Sequence, residues 1–465
     1  MAKAKKTPSR KPVKKPAPAT KAAVDPNLLA DLMKWAKAAG ADAADALYVH
    51  GESISVAQRL GAREKLESSE GRDLGLRVFI GKRQAFVSST DFSPKSLKVL
   101  VGRAVDMARA VPEDPTCGIA PEELLVREWP DLDMNDRRSP SAKALIALAA
   151  EAEDAARSVK GVTNSEGAEA AWGRSSVMLA ATNGFSGGYK RSGYSLSCAV
   201  LAGEGTGMER DYEWSSAVHL EDLMSAATVG RNAGKFAVRR LNPKKAVSAR
   251  LPVVYDRRVS GSMVGHLAGA INGRGIARGT SFLKDKMGAK IFADGIRILD
   301  NPHRKRGLGS RPFDAEGLPC TRMAVIDDGV LTTWLLDLAS ARQLNLKPTG
   351  HASRGTSGPP GPTTSNIYLE KGKVSVEELI GDIKSGLFVT DMIGSNVNGV
   401  TGDYSRGASG FWIESGRLTY PVSGITIAGN LKDMFLALTP ANDLQFKSSV
   451  NAPTVRIEGM TIASS

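Results

Sequence analysis

The sequence predicts an α+β fold, in which N-terminal α/β sandwich-like domains precede a mostly-β C-terminal domain that forms a curved sheet or an open barrel. Up to residue 248, alternating strand patterns are interleaved with amphipathic helix patterns. From residue 249 onward, short apolar runs alternate with glycine turns, which is typical of a β-rich domain. The chain has 465 residues, of which 42% are hydrophobic and 24% charged. That length and balance suit two or three ordinary globular domains.

The first 24 residues form a basic tail that we expect to be disordered. They contain eight lysines and arginines and no acid, so removing these charges from the net +13 leaves +5 on the remainder. A segment with so little apolar surface to bury cannot offset its ordering entropy. Such a tail can touch nucleic acid through charge alone. We nevertheless expect a solvated tail with no specific partner, and we do not expect nucleic acid as a partner.

Residues 25–138 are predicted to form the first α+β domain and the linker that follows it. The helix start at Asp25-Pro26 combines an Asx cap with a proline in the first turn. The other predicted elements are strands at 46–50 and 53–59, a hairpin of 74–80 and 84–89 around Gly81-Lys82-Arg83, a helix from Ser93-Pro94 to about 110, and a linker at 111–138.

Residues 139–248 are predicted to form a second domain of the same kind. Asn183-Gly184 between two strand patterns is a strong hairpin signal. The predicted elements are helices at 139–159 and 221–241, and strands at 175–182, 185–189, 194–202 and 210–216.

Residues 249–465 are predicted to form the β-rich domain, which opens with a helix over Tyr255–Gly279. Two stripes with a spacing of four residues share this helix, one apolar and one of glycine. The apolar stripe is Val259, Met263, Leu267 and Ile271, and the glycine stripe is Gly261, Gly265 and Gly269. Each glycine costs a helix about 1 kcal/mol relative to alanine. We therefore expect the glycines to admit another backbone at close range.

His266 lies beside the glycine stripe and is the candidate metal ligand of the chain. Zinc takes three or four ligands from histidine, cysteine and carboxylates. The histidines lie far apart in sequence, and no two are one helical turn apart: His50, His219, His266, His303 and His351. On this ground alone His266 is better interpreted as a packed or capping histidine, and we expect no metal site in this chain.

A polar stretch at Thr401–Gly407 is the candidate substrate-binding segment. It is predicted as a loop at a sheet edge, where ligand contacts gather. The proposed substrate-binding residues are Asp403, Tyr404 and Arg406. An Asp–Arg pair that braces the turn is the alternative. Asp327-Asp328 precedes a glycine and is interpreted as turn chemistry rather than a catalytic pair.

Composition also bears on the compartment. Three cysteines without a CxxC pair indicate a reducing cytoplasm rather than a disulfide framework. The sequence has no apolar run of about 18 residues and no secretory signal, so we expect no membrane partner.

Six phrases of the C-terminal half resemble the TldD/PmbA family, and most of all its PmbA (TldE) branch. They are GSMVGHLAGAI, GLGSRPFDAEG, DDGVLTTWLL, KPTGH, TGDYSRGASGFWIESG and YPVSGITIAGNLKDMF. The resemblance implies a cytoplasmic peptidase that works as a TldD–TldE heterodimer on unfolded or short peptides and on modified-peptide precursors. It also implies that zinc is held in the TldD-type subunit by an HExxxH helix and a distal cysteine, with the glutamate as general base.

Aligning that motif with this chain removes most of the zinc site. Val264-Gly265-His266 matches the end of the motif, so Gly261 falls at the first histidine and Ser262 at the glutamate. No cysteine follows Asn442-Asp443-Leu444 in QFKSSVNAPT. The resemblance therefore implies a non-catalytic subunit with no cofactor of its own, a TldD-type partner that holds zinc, and a peptide substrate.

Two alternatives remain open from the sequence. One is a self-sufficient metallopeptidase that uses His266 with a distant histidine such as His351. The other is a nucleic-acid-associated regulator that acts through the basic tail.

Overall fold

The computed structural model describes residues 27–464, apart from the side chain of Ser395. The predicted basic tail and the helix start at Asp25-Pro26 lie outside the described residues. Within the described part of the chain, no helix is both long enough and apolar enough to cross a membrane.

The described residues contain the following helices and strands, given in chain order. The helices are α1 Leu28–Ala38, α2 Pro94–Ala110, α3 Ala142–Arg157, α4 Ala226–Arg239, α5 Gly261–Ala270, α6 Gly273–Ala277, α7 Leu338–Leu344, α8 Val376–Ile380 and α9 Leu431–Leu436. The strands are β1 Ala43–Arg59, β2 Ala62–Ile80, β3 Arg83–Ser89, β4 Val162–Ala181, β5 Ser186–Ala202, β6 Glu209–Ala217, β7 Ala249–Tyr255, β8 Ile298–Asp300, β9 Met323–Asp327, β10 Val330–Leu331, β11 Ala352–Ser353, β12 Gly361–Pro362, β13 Ile367–Leu369, β14 Ser385–Val397, β15 Asp403–Glu414, β16 Arg417–Asn430, β17 Leu438–Pro440, β18 Val450–Asn451 and β19 Val455–Ser464.

The N-terminal half is built on one antiparallel six-stranded sheet, in the order β3-β2-β1-β4-β5-β6. The strands predicted at 46–50 and 53–59 are a single strand, β1, which pairs with β2 on one side and β4 on the other. The two predicted N-terminal units therefore share a continuous sheet through β1 and β4. Both predicted hairpins form, one around Gly81 and one around Asn183-Gly184.

Helices cover one face of this sheet, which gives the sandwich-like arrangement that the sequence predicts. The helices α1 and α2 pack on β1, β2 and β3, and the helices α3 and α4 pack on β4, β5 and β6. At Gly230 a Cβ atom would overlap the carbonyl group of Ala152, so this glycine is what lets α3 and α4 approach. The opposite face, around Leu47 and Leu179, packs against Phe313, Leu318 and Leu338 of the C-terminal half.

The C-terminal half contains a closed five-stranded barrel. Its strands run in the order β16-β15-β14-β7-β19, and pairing of β16 with β19 closes the ring. The predicted β-rich domain is confirmed, and its sheet closes into a complete barrel where an open one was expected. A five-stranded sheet, β10-β9-β8-β13-β18, stands beside the barrel, and β18 is its edge strand.

The helix predicted over Tyr255–Gly279 is shorter and interrupted. Tyr255 ends β7, α5 covers Gly261–Ala270, and α6 begins again at Gly273. Asn272 divides the two helices, because it is extended and its side chain accepts the N–H of Arg274 at 3.1 Å. The Asx cap at Asn272 is thus a helix boundary that the regular apolar spacing of the sequence does not reveal.

The two stripes of α5 have different surroundings. The apolar stripe is confirmed as the packed face, since Met263, Leu267 and Ile271 are at most 2% exposed. A Cβ at Gly261 would lie 3.2 Å from the carbonyl oxygen of Val450, which is the expected close backbone approach. A Cβ built at Gly265 or Gly269 would have no atom within 4 Å. The expected close approach of another backbone is therefore wrong for these two glycines within the described chain.

The segment Thr401–Gly407 is mainly strand, because β15 begins at Asp403. The predicted turn at Asp327-Asp328 is confirmed: Asp328 has φ 48° and Gly329 has φ 77°, and they join β9 to β10.

Candidate functional site

A cavity of about 300 Å³ lies where the first turn of α5 meets the barrel and the N-terminal sheet. Its wall comes from β6, from the start of α5, from β14 and β15, and from the segment 445–452 that includes β18. Gly261 and Ser262 both line it. The cavity is therefore formed around the two positions where the HExxxH motif would place a ligand and a general base.

Neither residue supplies the chemistry of that motif. Gly261 has no side chain, and the Ser262 hydroxyl donates a hydrogen bond to the carbonyl oxygen of Val259 at 2.7 Å, within its own helical turn. An alcohol held in this way has no proton-accepting capacity near neutral pH. Neither Gly261 nor Ser262 can therefore act as the general base that activates water.

His266 lies one turn further along α5, beside the barrel strand β15. Its ring stands edge-to-face against Tyr404, with centroids 5.8 Å apart. Its Nε2 atom is buried and has no hydrogen-bond partner among the described residues. Burial, and secondly the positive charge of Arg406, lower the pKa of His266 below its ordinary value. The imidazole is thus neutral at pH 7, the form that can bind a metal.

The surroundings of His266 do not fit a zinc ion. Zinc in a catalytic site takes three protein ligands. Within residues 27–464, no group of three histidine, cysteine or carboxylate side chains is arranged to hold a metal ion. The cysteines Cys117, Cys198 and Cys320 are all buried elsewhere in the fold.

His351, the partner considered for His266, is committed to a different buried cluster. Its Nε2 lies 3.1 Å from a carboxylate oxygen of Asp300, and its Nδ1 lies 2.9 Å from the hydroxyl of Thr349. Burial acts to raise the pKa of Asp300, but the hydrogen bonds from His351 and Ser365 outweigh it and hold that pKa below its usual range. Both ring nitrogens of His351 therefore have partners that are not metal ions.

The three predicted substrate-binding residues have three different environments. The carboxylate of Asp403 accepts hydrogen bonds from Thr401 at 2.6 Å and Asn430 at 3.0 Å, so it braces its turn without Arg406. Tyr404 is 2% exposed, and its hydroxyl lies 3.4 Å from that of Tyr255 in the core. Arg406 lines the cavity. Of the three side chains, that of Arg406 is the one positioned to meet a ligand there.

Ion pairs that join the two halves of the chain frame the cavity. Arg258, at the start of the α5 region, donates to Asp211 of β6 at 2.6 Å, and its guanidinium lies over the rings of Tyr212 and Phe236. Lys447 donates to Glu213 of β6 at 3.1 Å. These residues could not be identified from the sequence, because their partners lie 47 and 234 positions away. No local pattern signals such pairs.

A second cavity of about 310 Å³ continues the first along the same interface. The two share Glu213, Arg257, Arg258 and Lys447. Phe388 and Phe411 of the barrel and Phe236 of α4 give the second cavity an apolar wall. Together the two cavities form a depression with both apolar and charged walls, which suits an extended amphipathic ligand.

Three family models match this chain in succession. They are PmbA/TldA metallopeptidase domain 1 over residues 44–108, the central domain over 135–241 and the C-terminal domain over 248–464. The chain is 39% identical over 412 residues to metalloprotease PmbA of Escherichia coli O157:H7. The aligned region covers 88% of this chain and 90% of that protein.

Solved structures with the same fold extend over nearly the whole chain. A protein from Bacteroides thetaiotaomicron is 28% identical and superposes with a TM-score of 0.87, covering 94% of this chain and 98% of its own. TldE from Thermococcus kodakarensis is 18% identical and superposes with a TM-score of 0.86 over 94% of this chain and 100% of its own, a likeness of fold alone.

Proposed function

The chain belongs to the PmbA/TldA metallopeptidase family, and we propose that it is the zinc-free subunit of a two-chain cytoplasmic peptidase. The observation that carries this proposal is the pair Gly261 and Ser262 at the cavity wall. In a zinc helix of this family those positions would hold a ligand and the general base. A TldD-type partner would then supply the zinc and the hydrolytic step, and this chain would help to bind the peptide.

Ligand chemistry supports the zinc-free assignment. His266 is a single nitrogen donor, and three protein ligands are needed for a catalytic zinc. The Ser262 hydroxyl is bonded to its own helix and cannot act as the base. Since one histidine cannot hold a catalytic zinc and neither Gly261 nor Ser262 supplies a base, the proposal assigns hydrolysis to the partner.

The cavity wall supports a role in peptide binding. β18 is the edge strand of its sheet, and its two residues Val450 and Asn451 line the cavity. The main-chain N–H and C=O of Val450 are already bonded to the Ser448 hydroxyl, and Gly261 closely approaches the same carbonyl. A peptide would therefore lie against the cavity wall rather than pair with this edge. Trp214 and Met392 in the same wall offer apolar surface to side chains. In this proposal, an extended peptide lies in the cavity with its side chains against these residues.

The exposed part of the glycine stripe supports a partner helix. Gly265 and Gly269 face open space in the isolated chain, with nothing within 4 Å of a built Cβ. Glycines on an exposed helix face cost helix stability and contribute no contact within the chain. In the proposed heterodimer they admit the equivalent helix of the TldD-type subunit at short distance.

Reconstitution tests the proposal. The purified chain, a TldD-type subunit and their mixture are assayed for cleavage of an unfolded peptide, and complex formation is followed by size-exclusion chromatography. We expect a stable complex, no cleavage by this chain alone, and cleavage by the mixture above that of the partner alone. Cleavage by this chain alone, or a mixture no more active than the TldD-type subunit, contradicts the proposal.

The unpartnered Nε2 of His266 favours a second candidate, a self-sufficient metallopeptidase. In that case the activity of the isolated chain depends on metal and is lost in His266→Ala. In the heterodimer proposal, His266→Ala leaves the isolated chain as inactive as before.

A further inference from the structure

The cavity beside α5 contains one guanidinium that no acid neutralises. Its wall includes the cations Arg257, Arg258, Arg406 and Lys447 and the acids Glu213 and Asp391. Each acid already has a cation, because Lys447 pairs with Glu213 at 3.1 Å and Arg240 pairs with Asp391 at 3.1 Å. Arg258 is paired with Asp211. These pairings leave Arg257 and Arg406 as the cations able to act on a ligand.

Arg406 is the less satisfied of the two. Within residues 27–464 its side chain makes no hydrogen bond or ion pair, and its Nε atom is buried without a partner. A buried N–H without an acceptor costs on the order of the desolvation penalty of the group. In a cavity wall such a donor is positioned for an acceptor that arrives with a ligand.

Arg257 is a second donor at the same cavity. Its side chain is 41% exposed, and its Nη1 atom lies 3.7 Å from a carboxylate oxygen of Asp443. That carboxylate already accepts the N–H and the hydroxyl of Thr454, each at 2.8 Å. Arg257 is therefore held loosely, and its donors remain open to a bound anion.

We propose that Arg406, assisted by Arg257, forms a subsite for a carboxylate of the bound peptide, and first of all for its C-terminal carboxylate. A guanidinium matches a carboxylate through two parallel hydrogen bonds, and the pair is stronger where water is excluded. Trp214, Val259 and Met392 provide an apolar wall in the same cavity for the side chain of the last residue. This inference rests on the proposed function for the peptide itself, and it specifies which end of the peptide this chain holds.

Peptide binding to the isolated full-length chain tests the inference. The probes are a fluorescein-labelled pentapeptide that ends in leucine with a free carboxylate, the same peptide as its C-terminal amide, and the amide with one internal glutamate. Fluorescence anisotropy gives the dissociation constant of each at fixed ionic strength. The variants are Arg406→Gln and Arg406→Lys. Arg417→Gln, an exposed arginine at the start of β16, is the matched control.

We expect the free acid to bind the wild-type chain about tenfold more tightly than the amide, because one charge-assisted hydrogen-bonded pair changes the dissociation constant by about that factor. Arg406→Gln removes that preference and Arg417→Gln keeps it. Arg406→Lys keeps the charge without the paired geometry and retains part of the preference, so the inference stays testable if Arg406→Gln does not fold. Tight binding of the glutamate-containing amide, lost in Arg406→Gln, assigns the subsite to side-chain carboxylates as well.

Equal binding of acid and amide by the wild-type chain overturns the inference, as does an undiminished preference in Arg406→Gln or no binding of any probe. The measurement needs neither zinc nor a partner. A reconstituted peptidase whose subunit lacks the carboxylate preference therefore overturns only this inference. A chain that shows the preference but fails to activate a TldD-type subunit overturns only the proposed function.

Discussion

The guanidinium of Arg258 donates a hydrogen bond to the carboxylate of Asp211 at 2.6 Å, and this pair joins the start of the α5 region to the edge strand of the N-terminal sheet. Both side chains are largely buried, with 13% and 2% of their surfaces exposed. Arg240 approaches the same carboxylate at 3.7 Å. Asp211 is thus the partner of Arg258 at the cavity wall, and it shares Arg240 with Asp391.

Asp211→Asn should destabilise the chain by about 3 kcal/mol, because it leaves the buried guanidinium of Arg258 without the carboxylate that pairs with it. Urea unfolding at neutral pH measures the change. Arg210→Gln is the control on the neighbouring residue, since the Arg210–Glu166 pair is almost half exposed and should change stability by less than about 1 kcal/mol. Equal, small effects of the two substitutions contradict this account of the interface.

Gly265→Ala should stabilise the isolated chain by about 0.5–1 kcal/mol, because alanine is the better helix former and the new methyl group meets open space. Gly230→Ala is the contrasting variant, and it should destabilise because the methyl group would overlap the Ala152 carbonyl. Thermal or urea unfolding gives both values. If α5 packs on a partner helix, Gly265→Ala should also weaken the heterodimer; an unchanged association constant argues against that contact.

Arg406→Gln should raise the pKa of His266. Burial is the main cause of the lowered value and remains in the variant, while the repulsion from Arg406 is removed. The pKa should therefore move upward and still stay below 6.5, the ordinary value for histidine. An NMR titration of the imidazole signals measures it, with Arg417→Gln as the control. An unchanged pKa in Arg406→Gln would mean that the two side chains are farther apart than in this structure.

Glu316 should make stability depend on pH. Burial, and then the nearby Asp314, raise its pKa from 4.5 to about 8. The folded chain therefore holds a proton that the unfolded chain releases between these values, and stability falls as pH rises through that range by up to about 1.4 kcal/mol per pH unit. Glu316→Gln keeps the acceptor for the Leu338 N–H, which lies 2.8 Å away, and should flatten the profile.

The test for Glu316 is the difference in unfolding free energy between wild type and variant, measured from pH 5 to 8. The difference should shrink or reverse in favour of the variant as pH rises. Glu151→Gln, at an exposed position of α3, should show no such trend. A wild-type advantage that stays constant over this range would mean that Glu316 does not hold the extra proton.

The sequence predicted those parts of the fold that local patterns encode. Apolar spacing located the buried face of α5, and Asn183-Gly184 located a hairpin. The first half of β2 was missed, because residues 62–73 are all exposed and carry no apolar alternation. Closure of the barrel depends on pairing between β16 and β19, and nothing in the sequence of either strand identifies the other as its partner.

Individual residues of the candidate site could be predicted from the sequence, but their arrangement around one cavity could not. Gly261, Ser262 and Arg406 were all singled out, and all three line one cavity. Their convergence could not be predicted, because it results from the packing of α5, β15 and the segment 445–452. Tyr404 looked equivalent to Arg406 in a polar stretch, and strand alternation places both on one face of β15. Tyr404 nevertheless lies in the core beside Tyr255, whereas Arg406 reaches the cavity, and only the packing decides this.

The zinc content of the purified chain distinguishes a zinc-free subunit from a self-sufficient metallopeptidase. Wild type and His266→Ala, purified without added chelator, are dialysed against buffer with equimolar zinc and analysed by inductively coupled plasma mass spectrometry. We expect far less than one zinc per chain in both, with no difference between them. One tightly held zinc per wild-type chain that is lost in His266→Ala would contradict this expectation.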